Sequence, residues 1–321
     1  MVTLLCPVRG CGAPLSPTDR ALTCPRGHRF DRARSGYCNL LQPQERRSRR
    51  PGDSAAALAA RRRLFDRGHG DWLVPHLLAA FDALGLPPGA AVLDVGCGEG
   101  FYLGALARER RIEAHGLDIS APAVDLAARR YPHATWIVAN ADRTLPYAAG
   151  SFALAMSLTS RLNPRELRRV LALAANPAAA TGEAGGFLLL AVPAADDLVE
   201  LRTAVLGEGR LRDRLRPALA TLAADFEPVR QAVVRTRLRL DAGGARDLLA
   251  ATYRGARHRE RRRAAGLVEQ AASTAPGEPA APAEPAAPAE PAEPGEPAGM
   301  AAIEVTASRD LAILEPRPIP R

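Results

Sequence analysis

A parallel α/β sheet with helices on both faces, preceded by a small metal-stapled module, is the architecture predicted for this 321-residue chain. Three observations carry the prediction. Short apolar runs alternate with helical stretches between Ala90 and Ala265. A glycine-rich turn, VGCGEG (95–100), closes the first of those runs. Three cysteines and a histidine fall in two close pairs near the N-terminus. Alternation of this kind points to strands buried on both faces by crossover helices. With 47% hydrophobic residues the chain can bury a substantial core, and with 4% aromatics that core must be aliphatic. No run of 18 apolar residues occurs, and MVTLLCPVRGCG has no apolar signal core. The expectation is a cytoplasmic protein without a membrane segment.

The N-terminal 45 residues hold Cys6-x4-Cys11 and Cys24-x3-His28, twelve residues apart. Two knuckles with short internal gaps can bring Cys6, Cys11, Cys24 and His28 into a tetrahedron, which is the geometry of structural zinc. A small segment without its own core makes metal the natural folding aid. Cys38 has no paired partner and reads as buried packing. Arginines surround the knuckles, Arg26 and Arg29 among them, and suit bidentate contacts to phosphate.

Residues 46–88 read as a helical connector. Ser54 is a plausible N-cap, and Leu58, Leu64, Phe65, Trp72, Leu73, Leu77, Leu78 and Phe81 recur at helical spacing with a break near Gly68 and Gly70. All 43 basic residues of the chain are arginines, and residues 1–70 hold fourteen of them against five acids. The basic end sits on a near-neutral body, which points to an anionic partner, with nucleic acid foremost. Arg49 and Arg62 of the connector are further candidates for phosphate contacts.

Six strands are expected in the domain at 89–270: 91–95, 113–119, 135–139, 152–158, 186–193 and 232–240. The first runs into Gly96-x-Gly98-x-Gly100, where the absence of Cβ lets the backbone turn tightly and approach a ligand. Asp118 ends the second strand, 20 residues after Gly98, where a carboxylate can accept hydrogen bonds from two ribose hydroxyls. The third leads into Asn140-Ala-Asp142 and Leu145-Pro146-Tyr147. Together with Asp94, these elements resemble the class I S-adenosylmethionine-dependent methyltransferases and their Rossmann-like sheet. The resemblance implies donor binding by Asp94, Gly96, Gly98, Gly100, Asp118 and Asn140 or Asp142. Cys97 reads as a small packing residue.

Residues 271–299 carry proline every third position from 276 to 297, with five glutamates and no arginine. That period matches an extended or disordered, solvated insertion. After it, Ile303, Val305 and Ala307 alternate like a strand, so residues 300–321 are expected to supply the last strand of the same sheet and a tail.

A closer resemblance covers most of residues 6–257. The order CPRGHRFDRARSGYCNLL (24–41), RSRRPGDSAAALAARRRLFDRGH (47–69) and VLDVGCGEG (92–100) is similar to the bacterial 23S rRNA (guanine-N1)-methyltransferases, a family that includes tylosin-resistance enzymes. Pro51–Ser54 and Arg62-x-x-Phe65-x-x-Gly68 are its specific part. The resemblance implies zinc, an rRNA hairpin as substrate, and a homodimer. Two segments depart from the family pattern: Ser157 to Pro164, where a proline-containing aromatic stretch is usual, and Ala251 to Arg257. Asn163, Thr252 and Tyr253 lie in these segments and are candidates for positioning the base. No residue is singled out as the general base. The rival readings are a methyltransferase of a small molecule or protein, and a non-catalytic RNA-binding or assembly factor.

Overall fold

The computed structural model describes residues 2–45, 51–171, 186–206, 209, 211–252, 266 and 303–317. Arg49, Tyr253 and the proline-rich segment lie outside them.

The main body is an eight-stranded sheet. Its parallel strands are β4 (Cys38–Asn39), β5 (Ala90–Val95), β6 (Ile112–Asp118), β7 (Thr135–Val138), β8 (Leu154–Leu158) and β9 (Phe187–Pro193). It is completed by β10 (Phe226–Leu240) and β11 (Ile303–Pro316). The spatial order is β10-β11-β9-β8-β5-β6-β7-β4, with β11 antiparallel to both its neighbours. Residues 303–316 therefore do enter the sheet as its last strand, wedged between β9 and β10. The edge strand β10 starts at Phe226, six residues before the sequence-based start, because pairing with β11 continues to Pro316.

Strand side chains divide between two cores with the period of two that a pleated strand imposes. On β5, Leu93 and Val95 enter one core and Val92 the other. On β9, Leu188, Leu190 and Val192 face the first core, whereas Phe187, Leu189 and Ala191 face the second. Helices α2 (Val74–Asp82), α3 (Phe101–Glu109) and α4 (Ala121–Arg130) cover the second core. Helices α5 (Pro164–Val170) and α7 (Leu215–Leu222) cover the first.

The N-terminal module folds around a small sheet of β1 (Ser16–Pro17), β2 (Ala21–Thr23) and β3 (Arg29–Asp31). It is built into the same core as the large sheet. Cys6, Leu15, Leu22 and Cys24 share one cluster with Leu40, Ile137 and Tyr147. Leu4 bridges Tyr147, and the Leu5 N–H donates to the Pro146 carbonyl at 3.0 Å. The Leu-Pro-Tyr turn thus serves as the seat of the module. Cys38 is buried on β4, beside Ile137 of β7, in agreement with its reading as a packing residue.

The connector forms α1 (Ala55–Asp66), a 3-10 turn at Asp71–Leu73 and then α2, so its break falls at the two glycines. Ser54 caps α1, its hydroxyl accepting from the Ala57 N–H at 3.2 Å. From α1, Arg63 and Arg67 reach the buried carboxylate of Asp247 on α8 (Ala242–Thr252), at 2.6 and 3.2 Å. That pairing fixes α8, and with it Thr252, against the connector.

Candidate donor pocket and metal centre

A cavity of about 950 Å3 runs along the C-terminal ends of the parallel strands. At the end of β5 the chain turns through Gly96, Gly98 and Gly100, all with positive φ (78°, 55° and 76°), into α3. A Cβ on Gly96 would lie 2.3 Å from the Cβ of Ser160, so only glycine lets the loop after β8 pack here. Asp118, at the end of β6, accepts the Gly98 N–H at 2.9 Å through Oδ2 and the Ser120 N–H at 2.8 Å through Oδ1. Both bonds aim the carboxylate into the cavity while burial raises its pKa.

Asp94 is 2% exposed, and its Oδ1 is buried with no hydrogen-bond partner among the described residues. An orphaned acceptor against a glycine cradle fits a site completed by a polar, cationic ligand. Its carboxyl is pushed up to about 7, by burial first and by Asp118 second. Because that pKa is raised above the unfolded value, the contribution to stability is complete below about pH 4 and is lost as pH rises through 7. Asp94→Asn is expected to remove this dependence in the free protein. The unfolding free energy of the variant relative to wild type should then grow between pH 4 and 8 in denaturant titrations. A difference that stays flat over that range would contradict it.

Asn140 and Asp142 both line the cavity, and the structure distinguishes their surroundings. The Asn140 amide donates to the Glu45 carbonyl at 3.1 Å and accepts the Asp142 N–H at 3.0 Å, holding the loop to the N-terminal module. The Asp142 carboxylate lies 3.5 Å from Arg161 and is a quarter exposed.

Two expectations need correction. Gly100 does not line the cavity. A Cβ there would lie 2.4 Å from the ring of Trp136, so this glycine makes room for a core indole. Asn163 does not line it either. Its Oδ1 caps α5 through the Glu166 N–H at 3.4 Å, and its Nδ2 donates to the Ala141 and Arg143 carbonyls at 3.3 and 2.8 Å. It braces the 140–143 loop instead of facing a base. Thr252 does line the cavity, at an exposed position at the end of α8.

Sequence reasoning groups the arginines of 46–63 as phosphate contacts, with Arg62 singled out, and the structure separates Arg62 from Arg61. Arg62 is half-exposed and pairs with Asp66 one turn on, at 3.6 Å. Arg61 turns inward between Asp53 at 2.6 Å and Glu99 at 2.8 Å, beside Gly98. The PGDS segment is explained by the same packing. A Cβ on Gly52 would lie 2.5 Å from the Cβ of Ser120, so this loop closes over the start of α4 and brings Asp53 to the cavity. Thr159 (φ 67°) and Leu198 (φ 52°) are the non-glycine residues with left-handed backbone among the described residues, and both line the cavity. Strained backbone of this kind concentrates at functional sites.

In the N-terminal module, the ligand atoms of Cys6, Cys11, Cys24 and His28 all lie within 4.8 Å of one another. The Cys11 and Cys24 sulfurs are 3.8 Å apart, and His28 Nδ1 is 3.4 Å from Cys6 Sγ and 3.3 Å from Cys24 Sγ. A zinc tetrahedron has S–S edges of about 3.8 Å and S–N edges of about 3.5 Å, so the four residues fit that ion. Arg26 and Arg29 lie on the exposed face of the module. Arg26 donates to the Gly10 carbonyl at 2.6 Å, and Arg29 pairs with Asp31 at 3.0 Å.

Residues 92–182 match the model of a methyltransferase domain, and residues 4–49 match a zinc-ribbon model described as RlmA, N-terminal. Fold, glycine loop and metal cluster define a class I S-adenosylmethionine-dependent methyltransferase with an N-terminal zinc ribbon. The chain is 41% identical over 242 residues to the 23S rRNA (guanine(748)-N(1))-methyltransferase of Streptomyces fradiae, covering 74% of this chain and 80% of that one. It is 36% identical over 262 residues to a Micromonospora griseorubida protein, covering 74% and 81%, and 29% identical over 234 residues to YxjB of Bacillus subtilis, covering 68% and 75%. Both are named, provisionally, as 23S rRNA guanine-N1-methyltransferases. The chain belongs to the bacterial 23S rRNA (guanine-N1)-methyltransferase family. No helix among the described residues is long and apolar enough to cross a membrane.

Proposed function

We propose that this protein methylates N1 of a guanine in a hairpin loop of 23S rRNA, with S-adenosylmethionine as donor. One observation supports the site assignment above all: the cavity runs across the sheet from the glycine loop and Asp118 to the ends of β8 and β9. Gly96 and Gly98 let the donor approach the backbone, and Asp118 accepts hydrogen bonds from its ribose. Asp142 serves the adenine side, with Asn140 holding its loop. Asp94 supplies negative charge beside the donor's cationic portion. When bound, the donor supplies an electrophilic methyl carried on sulfonium.

In the proposed transfer the bound donor would supply its methyl to guanine N1, which would give up its proton to solvent, and S-adenosylhomocysteine would leave. The chain's part is to hold the base in line with the methyl, and such alignment is worth several kcal/mol of barrier, of order 7 or more in well-oriented systems. Thr252, at the end of α8, and Tyr253, the next residue in the sequence, are assigned in this reading to orient the base. Arg26, Arg29, Arg49 and Arg62 grip flanking phosphates, and the splayed base of a loop is what such a cavity can reach. Residues 1–45 then act as the zinc-binding recognition module, 46–88 as the connector and 89–270 with 300–321 as the catalytic domain. Residues 271–299 are a spacer. The proposal includes a cytoplasmic location and a homodimer, the latter to be read by sedimentation.

The test is transfer of labelled methyl to unmodified 23S rRNA, followed by digestion to nucleosides. The expected product is 1-methylguanosine, formed only with donor. Label in another nucleoside, or in protein or a small molecule with none in RNA, would refute the assignment.

A further inference from the structure

The cavity is electrically divided. Its floor follows the strand order, from β7, β6 and β5 at one end through β8 to β9, β11 and β10 at the other. At the glycine-loop end stand Asp53, Asp94, Glu99, Asp118 and Asp142 against Arg61 and Arg161. At the far end the balance reverses, with Arg202, Arg212, Arg214 and Arg309 against Asp197. From β6 to β9 is three strand spacings, or about 14 Å.

The basic end is incompletely paired. Asp197 accepts Arg309 Nη1 at 2.7 Å and the Ser308 N–H at 2.9 Å, so its charge is matched within the wall. Arg202 on α6 (Val199–Leu206) is only 6% exposed. Its Nη2 donates to the Ala195 carbonyl at 2.7 Å, while Nε is buried without an acceptor among the described residues. A guanidinium cannot shed its proton, so a buried unpaired donor on it is costly until an anionic acceptor arrives. Arg212 and Arg214 are exposed at the mouth, and their side chains make no hydrogen bond or ion pair among the described residues. Leu198, one of the two positions with left-handed backbone, lines the same cavity.

We propose that Arg202, Arg212 and Arg214 form a phosphate-binding end of the cavity, which holds the RNA backbone phosphate beside the extruded guanosine. Planar, permanently charged guanidinium groups match phosphate oxygens bidentately. The acidic end suits the cationic donor and the basic end the polyanionic substrate, so the two ligands are sorted along one cavity by charge. The inference rests on the RNA-methyltransferase reading and adds the residues that seat its substrate. The other anion of matching chemistry is the carboxylate of the donor itself.

The test compares wild type, the double variant Arg212→Ala/Arg214→Ala and Arg202→Gln in donor and RNA binding, with circular dichroism melting to confirm folding. The double variant removes exposed side chains without partners, so it tests the site even if Arg202→Gln unfolds. The RNA probe is the 23S rRNA hairpin that wild type methylates. The expected result for the double variant is donor affinity within twofold of wild type and RNA affinity at least tenfold weaker. The slope of log K against log salt should be smaller by about 1 to 2, since each phosphate no longer neutralised reduces it by about 0.7 to 0.9. Wild-type RNA affinity and salt slope in the double variant would overturn the phosphate seat while leaving the methyltransferase reading intact. Weaker donor binding with unchanged RNA binding would also overturn it and assign the basic end to the donor carboxylate. If wild type itself modified no RNA, both readings would fall.

Discussion

Asp118→Ala is expected to weaken donor binding by about 100-fold, a loss of about 2.7 kcal/mol, with a smaller effect on RNA affinity. The carboxylate is held by the Gly98 and Ser120 N–H groups, both short bonds, so its removal does more than delete a ribose contact. It also leaves two backbone donors beside the glycine loop without their acceptor. Hydrogen bonds to a charged group contribute about 1.5–3 kcal/mol each, which sets the magnitude. Isothermal titration with S-adenosylmethionine reads the loss. Asp94→Ala should cost less, because the Asp94 carboxyl is pushed up to about 7 and is only partly ionised at neutral pH. Equal affinity in Asp118→Ala and wild type would remove Asp118 from the donor site.

The second large effect is on folding. Cys24→Ser is expected to abolish stoichiometric zinc and to lower the melting temperature by about 10 °C or more, and a strong chelator should reproduce the shift in the wild type. Structural zinc contributes about 10–16 kcal/mol in small zinc-binding peptides, comparable with the whole stability of a typical domain. The consequence spreads because Cys6 and Cys24 belong to the same core as Ile137 and Tyr147, and because β4 continues the main sheet beside β7. A net loss of about 7 kcal/mol corresponds to roughly 10 °C in a chain this size. RNA affinity should fall more than donor affinity, since Asp118 and the glycine loop belong to the opposite side of β7. A variant that keeps one zinc per chain, or melts like wild type, would contradict the cluster.

Local chemistry was legible in the sequence, and long-range neighbours were not. The strand–glycine–helix junction at 92–103 and Asp118 could be read because each is set by residues close by in the chain. The last strand at 303–316 was legible from its alternation, despite the long insertion before it. Gly100 was misread because its constraint comes from Trp136, 36 positions away. Asn163 was misread because a capping amide and a substrate-binding amide look alike until their partners are known. Arg61, Arg62 and Arg63 are consecutive, so composition treats them as one patch. Helical geometry sends them about 100° apart, one to Glu99, one to Asp66 on the exposed face and one to Asp247. No pattern announced Arg202, Arg212 and Arg214, which the fold assembles from α6 and the loop after it.

In the proposed reaction an acidic donor pocket and a basic substrate end share one cavity, in which a guanine of 23S rRNA receives a methyl at N1. Methylation at N1 blocks Watson–Crick pairing, so primer extension on rRNA treated with enzyme and donor tests it most directly. A single donor-dependent stop within one hairpin loop is expected, abolished or strongly reduced by Asp118→Ala. Intact donor binding with no stop anywhere in 23S rRNA would contradict it.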